Sequence, residues 1–260
     1  MIRRLREWLR RRNAARIAVT AEQWAHAEMR LPFLGHLSNQ ERIRLRELAL
    51  QFLAEKQMSG ARGLELNALI QLSIALQACL LVLNLGLDWY RGWVGIVIYP
   101  GDFVIPRQQV DEHGILHEFD DAVLGEAWQG GPVILSWFGE RQETDGINVV
   151  IHEFAHKLDM GNGAPDGLPP LRPGMSRDAW INAFAPAYEN FCGRVDQSEL
   201  DGVETALDPY AAESPAEFFA VMSEAFFETP QLLREEYPAV YAQLKLFYRQ
   251  DPLATPTDID

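Results

Sequence analysis

The chain has 260 residues, 48% of them hydrophobic, and a formal net charge of −14. That size and composition supply enough apolar side chains for one sizeable core and exclude disorder on the whole-chain scale. Two cysteines far apart in sequence, Cys79 and Cys192, exclude a disulfide scaffold or a cysteine-built zinc site and point to a reducing, cytoplasmic compartment.

Met1 to Arg16 holds seven arginines against the single acid Glu7, which leaves 16 basic and 36 acidic residues for the rest of the chain. An acidic body repels phosphate at every contact, so nucleic acid is not an expected partner. Ile2, Leu5, Trp8 and Leu9 recur at helical spacing among the arginines. They fit a short amphipathic helix on an anionic surface, but the reading adopted is a solvated basic tail over residues 1–20. No uninterrupted apolar stretch with a small-residue cleavage site follows, so a secretory signal is not expected.

Ser38 followed three residues later by Glu41 is a capping-box signature, and Ile43, Leu45, Leu48 and Phe52 carry a helix to about Lys56. Leu66 to Leu87 is long and apolar enough to raise the question of a membrane span. Gln71 and Gln77 would lose their hydrogen-bonding water in a bilayer core, so a buried helix is expected and membrane association is not. The runs at 93–99 (WVGIVIY) and 132–138 (PVILSWF) are short, β-branched and aromatic, and read as strands. Between them, Gly101 to Gly131 reads as edge strands or loops over the sheet. Helices follow at about 147–160, 178–191, from Ser214-Pro215 to Pro230, and from 231 to 250. Strands precede helices rather than alternating with them, so the fold class is α+β. It is mainly helical with a small mixed sheet, in a single domain over 21–260 with a helical front section (21–90) and a second part (91–260).

The chemistry enters at Ile151-His152-Glu153-Phe154-Ala155-His156, an H-E-x-x-H motif on the helix over 147–160. Residues four apart lie one turn apart on one face, so both imidazoles can reach one zinc ion, and Glu153 projects beside it as a general base. A catalytic zinc needs a third protein ligand. Asp159 and Asn162 stand where the longer motif requires glycine and histidine, and no histidine follows His156. A downstream carboxylate on another helix is therefore required. Glu217 is the best candidate, yet Ser214-x-x-Glu217 is also a capping box, and the pattern alone weighs the two readings equally. Glu224, seven residues on, lies on the same face and could orient an imidazole or simply face solvent. Tyr210 could donate to the oxyanion formed during attack, or could be a packed loop tyrosine. Asp159 could orient local groups or end its helix. His113 and His117, four apart but beside Gly114 and several acids, do not read as a second metal site.

LNLGLDWYRGWVGIVIYP, GPVILSW, IHEFAHKLDMGNG, YAAESPAEFFAVMSEAFFE and LFYRQDPL, in that order, resemble the Mlc titration factor A peptidases of bacteria, which are similar around the metal to the catalytic domain of anthrax lethal factor. The resemblance runs from about Ala21 to Leu253 and leaves the arginine-rich start unmatched. It implies a zincin-like fold of the gluzincin type with Zn2+ held by His152, His156 and Glu217, with Glu153 as catalytic base and Tyr210 as active-site tyrosine. It thereby favours the ligand reading of Glu217. The lethal-factor pattern has a second glutamate where this chain has Val221. The resemblance further implies a cytoplasmic, aminopeptidase-like enzyme with peptide substrates that also binds the glucose-responsive repressor Mlc. The competing reading is a non-catalytic protein that titrates a repressor and uses zinc structurally. A structural zinc would be closed by four ligands, and no further Cys or His is at hand.

Overall fold

The computed structural model of the protein describes residues 2–101, 103–110, 116–137 and 148–255, with side chains for 6–101, 124–137 and 148–255. The arginine-rich start is not a solvated tail. It forms helix α1 (Ile2–Ala14), with Arg10 and Ala14 buried against the body. The Arg10 guanidinium bonds Glu55 and, at 2.9 Å, Asp88. Helix α2 (Ala21–Met29), which the periodicity did not reveal, opens on a Thr20–Gln23 capping box. Helix α3 (Asn39–Glu55) opens on the expected box, with Ser38 Oγ accepting the Glu41 N–H at 3.3 Å and the Glu41 carboxylate accepting the Ser38 N–H at 3.0 Å.

After strand β1 (Gln57–Gly60), helix α4 (Ala68–Leu81) is buried along nearly its whole length. No described helix is long and apolar enough to cross a membrane. Gln77, fully buried in α4, donates to the Ser73 carbonyl and accepts from Asn148, which offsets its desolvation. Strands β2 (Gly95–Pro100), β3 (Phe103–Val110), β4 (Leu116–Val123), β5 (Gly125–Ala127) and β6 (Val133–Trp137) follow. The four-stranded sheet has the order β1-β2-β6-β5. Its first three strands are parallel, and β5 is antiparallel to β6 with Gly125 opposite Leu135. The pair β3–β4 is a separate antiparallel hairpin. β5 is thus a sheet edge, and no other described strand pairs with it.

Helices α5 (Val149–Asp159), α6 (Arg177–Asp201), α7 (Pro215–Glu228), α8 (Pro230–Glu236) and α9 (Pro238–Tyr248) complete the chain. α6 outruns its expected end by ten residues and stops at Gly202, whose φ of +73° is the left-handed cap a glycine adopts freely. The single helix expected over 231–250 is two helices. Pro238 lacks the N–H needed to continue the first and starts the second.

The core is aromatic where the front section meets the rest. Phe154 of α5 lies against Phe52, Tyr90 and Trp93, with ring centroids 5.7, 5.3 and 5.8 Å away. A second cluster joins Trp180, Phe219 and Phe247 from α6, α7 and α9. Burying each such ring contributes on the order of 1.5–3 kcal/mol, and these contacts fix where α5 and α7 stand.

Candidate metal centre

Helix α5 is buried along its whole length. Its start is held by Asn148, whose side-chain oxygen accepts the Ile151 N–H at 3.0 Å and whose amide donates to Gln77 of α4 and Glu228 of α7. The Asn148 backbone N–H donates to Glu224 of α7. One residue therefore sets the entry of the helix against two others.

His152 and His156 project from one face of α5 toward the start of α7, and their Nε2 atoms are 3.1 Å apart. Glu217 Oε2 lies 2.9 Å from His152 Nε2 and 3.1 Å from His156 Nε2. Half of the capping box forms, and the Glu217 side chain is left to face the imidazoles. Ser214 Oγ accepts the Glu217 N–H at 3.2 Å, while the carboxylate turns toward the two imidazoles. Ligand atoms bound tetrahedrally to zinc at about 2.0–2.1 Å sit roughly 3.3 Å from one another, and the observed triangle is close to that size. These three residues form the one His/Cys/Asp/Glu group among the described residues that could hold a metal ion.

The hydrogen-bond pattern fits a cation. Glu224 Oε1 accepts from His152 Nδ1 at 2.7 Å, which leaves a lone pair on Nε2 aimed at the Glu217 carboxylate. Lone pairs facing one another at this distance repel unless positive charge stands between them. Without an ion that charge can only be a proton. Burial disfavours the charged His152, yet the bonds from Glu217 and Glu224 prevail and raise its pKa well above the usual imidazole range. Burial likewise opposes ionisation of Glu217, but the two imidazoles outweigh it and bring its carboxyl down to about 2. Glu224 is thus His152's orienting partner. Val221, at the position favoured by the lethal-factor pattern, is apolar and buried.

Glu153 is 4% exposed, and burial raises its pKa to about 7. Its Oε2 is buried without a hydrogen-bond partner among the described residues. The carboxylate sits beneath β5: a Cβ at Gly125 would lie 2.4 Å from Glu153 Oε1, so only glycine allows the strand to pass this close. The Tyr210 ring, half exposed on a short 3-10 turn over Pro209–Ala212, lies with its centroid 6.0 Å from that of His152. Gly125, Glu153, Met160, Pro165, Tyr210 and Glu217 help line one open cavity of about 190 Å³ over the three ligand atoms. All five residues singled out for the site therefore meet in one place.

Asp159 does not reach this centre. Its Oδ2 accepts the Gly167 N–H at 2.8 Å and anchors the loop after α5, and burial raises its pKa to about 6. His113 lies outside the described residues. His117 is in β4, paired with Gln109 in the separate hairpin. Gly125 and Asn148 escaped the sequence reading because their roles depend on contacts with distant elements. The one local signal for Asn148 was its place as an N-cap three residues before Ile151.

The profile of the glucose-regulated metallo-peptidase M90 family matches residues 5–249. That match reaches into the arginine-rich start. Proteins called Mlc titration factor A from Yersinia pestis (strain Pestoides F) and Yersinia pseudotuberculosis serotype O:1b (strain IP 31758) are each 38% identical over 253 residues, covering 95% of this chain and 91% of theirs. A metallopeptidase family implies a divalent metal, and a matched His-His-Glu triangle stands ready for one. This chain is a member of the glucose-regulated metallo-peptidase M90 family.

Proposed function

We propose that the protein is a zinc-dependent peptidase in which His152, His156 and Glu217 hold the metal and Glu153 is the general base. The observation that carries this reading is the convergence of two Nε2 atoms and one carboxylate oxygen within 3.1 Å, beside a buried carboxylate with a free oxygen. Zinc held by such a donor set supplies a Lewis acid that polarises the scissile carbonyl and acidifies water. The preference for zinc rests on the two imidazoles and one carboxylate, a familiar catalytic zinc set.

Glu153 takes the proton from the attacking water and returns it to the leaving amine. Burial makes this carboxylate a stronger base than an exposed glutamate, which suits proton abstraction. Tyr210, on the open side of the cavity, donates its phenol to the oxyanion. The outer edge of β5 offers its backbone N–H and C=O groups to an extended peptide, which then lies across Glu153. Aminopeptidase action is what the resemblance to the Mlc titration factor A peptidases implies. The name carried by the relatives supports a further role in binding an Mlc-type repressor. Two free cysteines, one of them buried, suit a cytoplasmic setting.

The test is Glu153→Gln, assayed by metal analysis and by digestion of a peptide library. The variant should keep stoichiometric zinc and lose about 10²–10⁴-fold in turnover. Retained turnover, or a wild-type protein that binds no zinc, would reject the assignment.

A further inference from the structure

We propose that Lys157 is a positioning residue that sets the gap between edge strand β5 and the metal helix α5, and so controls peptide binding rather than bond cleavage. The inference rests on the peptidase reading above. Lys157 follows His156 directly and is 4% exposed. Its ammonium donates to the main-chain carbonyls of Trp128 and, at 2.8 Å, Gly131. These two carbonyls flank the turn between β5 and β6, which also closes on itself through the Gly131 N–H to Trp128 C=O bond at 3.0 Å and the Trp128 N–H to Pro132 C=O bond at 3.1 Å. The Trp93 ring completes the cage, with its centroid 4.9 Å from Lys157 Nζ.

Burying an ammonium is costly, and an apolar side chain of similar length would fill the same space without that cost. What the ammonium adds is direction: it ties one turn at two points. β5 has three residues and one described neighbour, and such a strand is held only weakly by its own ladder. It meets α5 at two places. Gly125 presses on Glu153 at one end, and the turn after Ala127 is tied to Lys157 at the other. Glu153 and Lys157 are one helical turn apart, about 6 Å along the axis. Contacts at two points fix both the height and the tilt of the strand over the catalytic carboxylate. The metal triangle does not depend on this tie, because His152, His156 and Glu217 are held by α5, α7 and Glu224.

The experiment compares wild type, Lys157→Met and Lys157→Arg in zinc content, steady-state kinetics on a fluorogenic peptide selected from the library digest, and amide hydrogen exchange. Lys157→Met should keep its zinc and its kcat to within about 3-fold, raise KM about 10-fold, and speed exchange at Trp128 and Gly131 but not within α5. Lys157→Arg, which can still donate to both carbonyls, should recover most of the KM. A loss that falls on kcat or on zinc content, or an unchanged KM with a folded variant, would overturn the proposal. Should Lys157→Met not fold, Lys157→Gln keeps one donor group and reads the same KM and exchange shifts. Exchange at the turn is measured without substrate. A wild-type protein inactive on every peptide but protected at Trp128 and Gly131 only through Lys157 would thus refute the peptidase reading and not the tie.

Discussion

Which nitrogen of His152 faces the metal site is decided by a residue 72 positions away. Glu224 accepts from Nδ1 at 2.7 Å and binds the Asn148 backbone N–H with its other oxygen, so the imidazole has one orientation open to it. Glu224→Gln keeps the shape but offers an amide N–H to a backbone N–H. Zinc affinity should fall about 10–100-fold with helix content unchanged, as isothermal titration against a competing chelator would show. Lys56 makes a separate prediction. It is 9% exposed, donates to the Tyr90 and Trp93 carbonyls at 2.7 Å, and has its Nζ 3.4 Å from the Trp93 ring centroid. Burial, aided by the nearby positive charge of Lys157, lowers its pKa from 10.5 to about 8. Below pH 8 it is charged whether the chain is folded or unfolded. Between about pH 8 and 10.5 the unfolded chain binds more protons at this position, so its contribution to stability rises with pH. Urea unfolding should show wild type gaining on Lys56→Met across that interval, and a difference that stays flat would contradict it.

At the scale of elements, Arg10 ties helix α1 to the body of the protein. Arg10 is buried between Glu55 at the end of α3 and Asp88 ahead of β2, both partly exposed. Arg10→Ala should cost about 1–2 kcal/mol in chemical denaturation, less than a fully buried pair because solvent screens the acids. Zinc content should not change, since the packing of α1 is chiefly against α3. The legible elements were those with a local cause. The Ser38–Glu41 box started α3 where expected, and the polar residues within an apolar run identified α4 as core. β1 was not legible, because Gln57-Met58-Ser59-Gly60 has no β-branched residue and becomes a strand only by pairing with β2. Helix α1 was misjudged for a related reason. Its arginines look solvated until Glu55 and Asp88 are brought to one of them.

On the scale of the molecule, the proposed ligands come from two helices separated by some sixty residues, α5 and α7, so a metal held by all three couples its binding to stability. Stripping the ion with a chelator should lower the melting temperature, and zinc should restore it. At free zinc about 1,000 times Kd the stabilisation is about 4 kcal/mol. Glu153→Gln should show the same shift, because Glu153 is not among the three converging ligands. Scanning calorimetry of both proteins with and without chelator measures it.

By itself the sequence determined the α+β class, the motif helix, the paired imidazoles and the adjacent glutamate, because these follow from spacings of three to four residues along a helix and from runs of apolar side chains. The tertiary structure alone decided the rest. It turned the Glu217 carboxylate from its own helix cap toward His152 and His156, made Glu224 the partner of a histidine on another helix, and brought β5 so close to Glu153 that position 125 must be glycine. Such contacts join residues far apart in the chain, and their distances are set by how α5, α7 and the sheet edge pack, which no local pattern encodes.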